Sequence, residues 1–236
     1  MSWVWPPDRL QPERGVVLPG LSARLTEVGR LARTELGIAD VGTDHGRLPL
    51  AMVAAGWSPV AVAIDRAAQP LNEARRRILQ TRWRDRISVR QGDGLSALTP
   101  GEVDTVVIAG MGGRMAAEIL SSESLVRLGI RRVVVQPNRD DVQLRTHLGR
   151  IGWPLRAESL VYDRGRIFYT AVAEAGAVRA YDLADLWMGP FLRTQKGPLV
   201  DVFRMRRLAW LSQRRDPELA PIRRALLDQP TPSTSF

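Results

Sequence analysis

The 236-residue chain contains no cysteine, only two histidines and only one lysine. The absence of cysteine excludes a disulfide framework, a thiolate metal site and a nucleophilic thiol. A zinc site built on histidine is not expected either, because His45 and His147 are the only two candidates. We therefore predict that the protein uses no metal.

Long apolar runs are also missing from the sequence. No stretch approaches the roughly 18 apolar residues that a membrane-spanning helix needs, and the first residues lack the charged and apolar segments of a signal peptide. The composition, with 44% apolar and 25% charged residues, is typical of a globular protein. We expect a cytoplasmic protein with no membrane partner. The sequence leaves the oligomeric state open, with a monomer favoured.

Positive charge is in large excess, with a formal net charge of +9. A surface of this kind attracts polyanions, so nucleic acid is the expected partner. Arginine provides every basic residue except Lys196, and its planar guanidinium can bind phosphate through two parallel hydrogen bonds and stack on bases. An arginine-rich codon usage would explain the choice of arginine over lysine, but not the net charge.

Strand and helix patterns alternate along most of the chain, which predicts an α/β fold with a parallel, doubly wound sheet. The last two strands are separated only by Asp163-Arg164-Gly165-Arg166, so they form an antiparallel hairpin. Seven strands that end in such a hairpin describe the Rossmann-like architecture of class I methyltransferases. The predicted strands are 37–41, 59–65, 87–92, 103–109, 131–136, 154–162 and 167–174. The predicted helices are one after Ser22, then 49–55, 67–82, 114–120 and 140–151.

We divide the chain into four parts. Residues 1–20 are predicted to form an irregular arm, 21–176 the catalytic domain, 177–228 a small, arginine-rich helical domain and 229–236 a disordered tail. Within the helical domain, a helix over 198–213 carries Arg204, Arg206 and Arg207, which we assign to RNA binding. A fragment cut after Gly176 is expected to fold, provided that the cut uncovers no large apolar face.

The loop after the first strand is the most informative motif, with the sequence Asp40-Val-Gly42-Thr-Asp44-His-Gly46. Its glycines allow close approach of a ligand and positive φ. A carboxylate at Asp44 would repel a pyrophosphate, so the loop favours the sulfonium cation S-adenosylmethionine over NAD. Asp65 ends the second strand, where an acid can accept hydrogen bonds from both ribose hydroxyls.

Three more loops follow strands at the same edge of the predicted sheet. After the third strand, Asp93-Gly94 can accept the adenine amino group and leave room for the ring. After the fourth and fifth strands come Gly110-Met111-Gly112-Gly113 and Gln136-Pro137-Asn138. The glycines can admit a flat base, and the two amides offer donors and acceptors to its edge. Together these loops predict one cleft.

Five segments of the chain resemble the bacterial tRNA (adenine(22)-N1)-methyltransferase family. They are Leu21–Leu25, Asp40–Pro49, Gly92–Leu95, Ile108–Gly113 and Gln136–Asn138. The resemblance implies an S-adenosylmethionine-dependent enzyme with a Rossmann-like catalytic domain and a C-terminal helical domain. Its expected product is 1-methyladenosine at position 22 of tRNA, with S-adenosylhomocysteine as the by-product.

The resemblance also implies roles for individual residues. Cofactor binding is expected from Asp40, Gly42, Thr43, Asp65, Asp93, Gly94 and Gly110. Catalytic roles are expected for Asp44, His45, Met111, Gly112 and Asn138. Contacts to RNA are expected from Ser22, Arg24, Arg47 and Gln136. Arg47 stands where the family more often has an aromatic residue, so a base-stacking contact is either missing or replaced by the guanidinium.

The chemistry at N1 of adenine requires alignment more than a base, because the neutral ring has a lone pair there and no proton. Methylation makes the ring positive, and Asp44 is the first candidate to stabilise that charge. Three alternatives remain at this level: a methyltransferase acting on another RNA or a small molecule, a non-catalytic protein that binds S-adenosylmethionine and RNA, and a dehydrogenase. A methyltransferase acting on a small molecule has no need of a net charge of +9. A dehydrogenase is disfavoured because the carboxylate of Asp44 would repel the diphosphate of its dinucleotide.

Overall fold

The structure is a computed structural model that describes residues 18–177, 180–214 and 216–227. Most of the predicted arm and the whole predicted tail lie outside these residues. Among the described residues, no helix is long and apolar enough to cross a membrane. The same residues contain no group of three or more acidic or histidine side chains that could hold a metal ion.

Seven strands form one sheet, as predicted. They are β1 (Ile38–Val41), β2 (Ala61–Asp65), β3 (Ile87–Gln91), β4 (Thr105–Ala109), β5 (Arg132–Gln136), β6 (Leu155–Asp163) and β7 (Arg166–Glu174). Their order across the sheet is β3-β2-β1-β4-β5-β7-β6. Strands β1 to β5 are parallel, and β7 runs antiparallel to both β5 and β6. The order reverses between β1 and β4, which is where ligands bind in open α/β sheets.

Nine α-helices are present in the described part of the chain. They are α1 (Ala23–Leu31), α2 (Arg47–Ala54), α3 (Ala68–Leu79), α4 (Gly113–Ile119), α5 (Ser122–Leu128), α6 (Asp141–Arg150), α7 (Leu183–Met188), α8 (Pro198–Ser212) and α9 (Ala220–Leu227). The hydroxyl of Ser22 accepts a hydrogen bond from the N–H of Leu25 at 3.4 Å and so caps α1. The sequence prediction missed α5, and it placed the start of α2 two residues late.

The sheet separates two apolar cores because neighbouring side chains on a strand point to opposite faces. In β4, Val106 and Ile108 join the larger core, whereas Val107 joins the smaller one. The larger core continues into the C-terminal helices α7 to α9 through residues such as Met188 and Val200. These helices therefore cover an apolar face of the sheet. The division into a catalytic and a helical domain stays a prediction.

A buried ionic cluster lies where the C-terminal helices meet the sheet. The guanidinium of Arg145 donates to Oε1 of Glu158 at 3.0 Å and to the carbonyl of Leu186 at 2.7 Å. Tyr169 donates to the same Glu158 oxygen at 2.6 Å, and the N–H of Phe191 donates to Oε2 at 2.8 Å. Burial raises the pKa of the Tyr169 hydroxyl well above its usual value. The cluster joins α6, the β6–β7 pair and the segment after α7.

Candidate active site

The loop after β1 is held against β2 by its backbone. The N–H groups of Gly42 and Thr43 both donate to the carbonyl of Ile64, at 2.8 and 2.9 Å. Gly42 has φ +77°, and a Cβ on it would overlap Cε of Met111. Glycine is therefore needed at this position for two reasons, the backbone conformation and the close approach of Met111.

Asp40 lies under this loop and is only 4% exposed. Its carboxylate accepts a hydrogen bond from the hydroxyl of Thr43 at 2.7 Å. Burial raises the pKa of Asp40 to about 6; the Thr43 hydrogen bond opposes the rise, and the neighbouring Asp65 and Asp44 add to it. Thr43 is buried as well. The pair therefore shapes the loop from beneath.

Asp44 and Asp65 connect the loop after β1 with the end of β2. The N–H of Asp44 donates to Oδ2 of Asp65 at 3.0 Å, and the N–H of Ala67 donates to Oδ1 at 2.9 Å. Asp44 adopts the left-handed conformation with φ +54°, which is uncommon outside glycine. Its own side chain is 68% exposed. The backbone of Asp44 thus orients Asp65, while the Asp44 carboxylate is exposed to solvent.

His45 lies between two acids. Its Nε2 is 3.4 Å from Oδ2 of Asp44, and its Nδ1 is 2.8 Å from Oε2 of Glu73 on α3. The sequence did not indicate Glu73. This arrangement allows His45 to fix the position of Asp44 relative to α3.

The loop after β3 borders the same cleft. The N–H of Gly92 donates to the carbonyl of Asp65 at 3.0 Å, which holds the loop beside β2. Gly94 has φ +56°, and a Cβ on it would lie 3.1 Å from Ile119 of α4. The carboxylate of Asp93 is exposed and lies 3.7 Å from Nη1 of Arg66. An acid is therefore present at the end of each of β2 and β3, as predicted.

The loops after β4 and β5 are joined by backbone and side-chain hydrogen bonds. The N–H of Gly110 donates to the carbonyl of Gln136 at 3.0 Å, and the N–H of Asn138 donates to the carbonyl of Met111 at 2.7 Å. The side-chain amide of Asn138 donates to the carbonyl of Gly110 at 2.6 Å. Gly112 directly precedes α4 and is its N-cap residue. Asn138 thus fixes the glycine loop and is itself exposed at the surface.

Arg24, near the start of α1, reaches the loop after β5. Its guanidinium donates to Oε1 of the fully buried Gln136 and lies 5.3 Å from the centre of the Phe168 ring. The amide of Gln136 donates to the carbonyl of Pro137 at 3.0 Å. Burial lowers the pKa of Arg24, and the carboxylate of Asp163 opposes that effect. Arg24 therefore links α1 and β7 to the Gln136–Asn138 loop.

A cavity of about 460 Å³ lies at the carboxyl ends of β1, β2 and β3. Of the residues predicted from sequence, it is lined by Gly42, Asp65, Asp93, Gly94 and Met111. Other predicted residues do not line it, although they lie at or just after the ends of β1, β4 and β5: Asp40, Thr43, Asp44, His45, Gly110, Gly112, Gln136 and Asn138. The structure therefore brings the predicted cofactor residues to the same edge of the sheet as Asp44, His45, Gln136 and Asn138.

The far wall of the cavity is formed by α4 and α5, and the sequence prediction assigned none of its residues to the site. It consists of Met115, Glu118, Ile119, Ser124 and Arg127. Met115, Glu118 and Ile119 are spaced by three and four residues, so they lie on one side of α4. That spacing, directly after the glycine loop, is the signal by which they could have been found.

The arginines assigned to RNA differ in their surroundings. Arg47 is exposed at the start of α2, and Arg206 is exposed on α8. Arg204, on the same helix, is only 7% exposed. Arg207 donates to Asp141 of α6 and lies 4.6 Å from the Phe203 ring. Of the three arginines on α8, Arg206 is thus the one that faces solvent.

The fold and this edge of the sheet together define a class I methyltransferase. A family model described as a methyltransferase domain matches residues 21–171. The tRNA (adenine(22)-N(1))-methyltransferase of Bacillus subtilis (strain 168) is 35% identical over 181 residues, which is 75% of this chain and 76% of that protein. The chain belongs to the tRNA (adenine(22)-N1)-methyltransferase family.

Solved structures agree with this assignment. The crystal structure of the B. subtilis m1A22 tRNA methyltransferase TrmK has a TM-score of 0.74 and 28% identity, and the match covers 88% of this chain and 94% of that chain. The Streptococcus pneumoniae protein Sp1610, solved in complex with S-adenosyl-L-methionine, has a TM-score of 0.76 and 30% identity. That match covers 89% of this chain and 95% of that chain. The Rossmann-like methyltransferase fold predicted from the sequence is confirmed.

Proposed function

We propose that this protein transfers the methyl group of S-adenosylmethionine to N1 of adenine 22 in tRNA. The observation that carries the proposal is the position of the cavity, which is bordered by Asp65 and Asp93 and lies beside the joined loops after β4 and β5. The tRNA methyltransferase of B. subtilis, at 35% identity, supports the same substrate. The net charge of +9 suits a polyanion.

The cavity residues fit S-adenosylmethionine. Asp65 and Asp93 can accept hydrogen bonds from ribose hydroxyls and from the adenine amino group. Both Asp65 oxygens already accept one backbone N–H each, which fixes the carboxylate and leaves further lone pairs free. When bound, this cofactor supplies an electrophilic methyl group on a sulfonium. The two carboxylates would favour such a cation and disfavour a diphosphate.

The substrate side of the cleft must align adenine N1 and accept the charge that develops on the ring. Asp44 directly neighbours the cavity residue Asp65 and has an exposed carboxylate, and we assign to it the stabilisation of the methylated, positive base. Asn138 holds the glycine loop through the carbonyl of Gly110. Its second amide hydrogen and the remaining lone pairs of its oxygen can contact the base edge. The target base must leave its stack to reach these groups.

We propose a cytoplasmic enzyme, because its substrate tRNA is there, and a monomer as the active form.

The predicted cofactor residues act in two ways. The loops around the cofactor are shaped by Asp40, Thr43 and Gly110, while its cavity is bordered by Gly42, Asp65, Asp93 and Gly94.

One experiment tests the function directly. The purified protein is incubated with S-adenosylmethionine and a tRNA transcript that has adenine at position 22, and the digested RNA is examined by mass spectrometry. We expect 1-methyladenosine in that transcript and none in a matched transcript with guanine at position 22. Modification of both transcripts would place the methyl group elsewhere. Modification of neither, with S-adenosylmethionine bound normally, would mean that the substrate is not tRNA adenine 22.

A further inference from the structure

The β6–β7 hairpin extends beyond the edge of the sheet at which the cavity opens. Strand β7 pairs with β5 only as far as Ala171, which faces Val135. Strands β6 and β7 continue together to the pair Asp163–Arg166. The five residue-to-residue steps from Ala171 to Arg166 span roughly 16 Å at about 3.3 Å per step. The hairpin tip, which we define as residues 162–167, therefore projects past the carboxyl ends of the parallel strands.

The hairpin tip is tied to the substrate side of the cleft through Arg24. The N–H of Arg24 donates to Oδ2 of Asp163 at 3.4 Å, and its guanidinium lies over Phe168 and donates to Gln136. The amide of Gln136 donates in turn to Oδ1 of Asn138 at 3.4 Å. A continuous series of contacts thus connects the tip to the loop on which we place the target base.

Positive charge dominates the hairpin tip. Arg164 and Arg166 are both exposed, and the guanidinium of Arg166 lies 5.4 Å from the same Phe168 ring that Arg24 covers. Among the described residues, neither Arg164 nor Arg166 has an ion-pair partner. With Arg24, three arginines lie at this corner of the protein together with the carboxylate of Asp163. The corner therefore has the charge of an anion-binding surface.

The local conformation presents these side chains outward. Arg164 has φ +47° and Gly165 has φ +80°, so two successive residues are in the left-handed region, as a two-residue hairpin turn requires. Turns of this kind usually carry asparagine, aspartate or glycine first, and here an arginine takes that place. Tyr162, on the preceding strand, is 59% exposed and offers an apolar surface beside the charges.

We propose that Arg164 and Arg166 bind RNA phosphates next to the target nucleotide, so that the hairpin tip holds the substrate strand over the cleft. This inference rests on the proposed function and names the surface that such a substrate would meet. Guanidinium groups match phosphate oxygens through two parallel hydrogen bonds. Contacts to phosphate position a nucleic acid without reading its sequence. The tip therefore contributes affinity and placement, and the choice of base is left to the cleft.

The test compares two double variants of the full chain that lose the same charge. One is Arg164→Gln with Arg166→Gln, and the control is Arg76→Gln with Arg77→Gln. The control residues are exposed on α3, which packs on β2 and β3, and β3 is at the opposite edge of the sheet from β6. Affinity for the tRNA transcript is measured over a series of salt concentrations. Calorimetry with S-adenosylmethionine checks in each variant that the cofactor site is folded.

We expect the hairpin variant to lose about 10- to 50-fold in tRNA affinity near 0.1 M salt, and the slope of log affinity against log salt to flatten by about 1.5, since each phosphate contact contributes about 0.7 to 0.9. The control should change less than about threefold. Equal losses in both variants would show an effect of net charge alone and would overturn the proposal. Unchanged affinity and slope in the hairpin variant would also overturn it.

Three further outcomes are distinguishable. If the hairpin variant changes only the sedimentation of the protein, with tRNA affinity unchanged, the tip is a contact between copies of the chain and the proposal fails. If the wild type binds tRNA but does not methylate adenine 22, the proposed function fails while the salt series still decides the role of the tip. If the wild type methylates adenine 22 and the salt series is the same for the wild type and the hairpin variant, the proposed function stands and only the inference about the hairpin fails.

Discussion

The backbone N–H of Asp44 donates a hydrogen bond to the carboxylate of Asp65 at 3.0 Å. This contact joins the loop on which we place the catalytic acid to the acid that we assign to the ribose. It uses the backbone of Asp44, whereas the side chain of Asp44 is exposed and lies 3.4 Å from Nε2 of His45. Substitutions at the two positions should therefore have separable effects, one on cofactor binding and one on the methyl transfer.

Replacement of Asp65 by alanine should weaken S-adenosylmethionine binding by about 10- to 100-fold, because a hydrogen bond to a charged group is worth about 1.5 to 3 kcal/mol. The variant also loses the acceptor for the N–H of Asp44, so the loop is less well fixed. Isothermal calorimetry measures the affinity. Asp85→Ala, an exposed acid next to the opposite end of β3, is the matched control. An unchanged affinity in the Asp65 variant would remove this residue from the site.

Replacement of Asp44 by asparagine should lower the methyl-transfer rate at least about tenfold. The substitution removes the negative charge to which we assign the stabilisation of the positively charged product. Asparagine tolerates the left-handed backbone at this position and keeps the N–H that orients Asp65. Affinity for S-adenosylmethionine and the melting temperature should therefore change little. Single-turnover rates with saturating tRNA and cofactor make the measurement. A wild-type rate would show that the carboxylate has no part in the transfer.

Asp40 should make the stability of the protein depend on pH in an unusual direction. The pKa of Asp40 is about 6 in the folded state and near 3.8 in the unfolded state, so the protonated side chain stabilises the fold. This contribution to the free energy of unfolding is complete below pH 3.8 and is lost as the pH rises through 6. Relative to Asp40→Asn, the free energy of unfolding of the wild type should fall by about 1 to 1.5 kcal/mol between pH 5 and pH 7.5. Urea titrations of both proteins at the two pH values measure this difference. A parallel pH dependence in the two proteins would contradict it.

The strands and the acids at their ends could be predicted from the sequence because both depend on local patterns. A strand in a parallel sheet is a short apolar run. The residue that follows it lies at the carboxyl edge of the sheet, and this does not depend on how the other elements are arranged. Asp65 and Asp93 were found in this way. Helix α5 has only seven residues and so shows no clear periodicity, although Ser121 caps it and Gly129, with φ +75°, ends it.

Contacts between distant segments could not be predicted in the same way. Arg204 and Arg207 were assigned to RNA because α8 is rich in arginine, but the direction of each side chain depends on partners elsewhere. Arg207 donates to Asp141, which is 66 residues away in the chain. The pKa of Asp141 is lowered: burial raises it, but the charges of Arg145 and Arg207 outweigh that effect.

The fragment cut after Gly176 depends on a condition that the structure does not meet. Removal of the C-terminal helices would uncover the apolar face that Met188 and Val200 cover. It would also remove the carbonyl of Leu186 and the N–H of Phe191, which are hydrogen-bond partners of the buried ionic cluster. The helical part is therefore better probed by substitution at its contact with the sheet than by truncation.

Replacement of Glu158 by alanine should lower the free energy of unfolding by about 3 kcal/mol or more, because Arg145 would lose a partner at a site with no exposure to water. Asp141 remains 2.8 Å from Arg145 and limits the loss. Urea unfolding measures the change. Glu123→Ala, an exposed acid at the start of α5, should change stability by less than about 0.5 kcal/mol. A loss below 1 kcal/mol in the Glu158 variant would show that this cluster does not hold the C-terminal helices on the sheet.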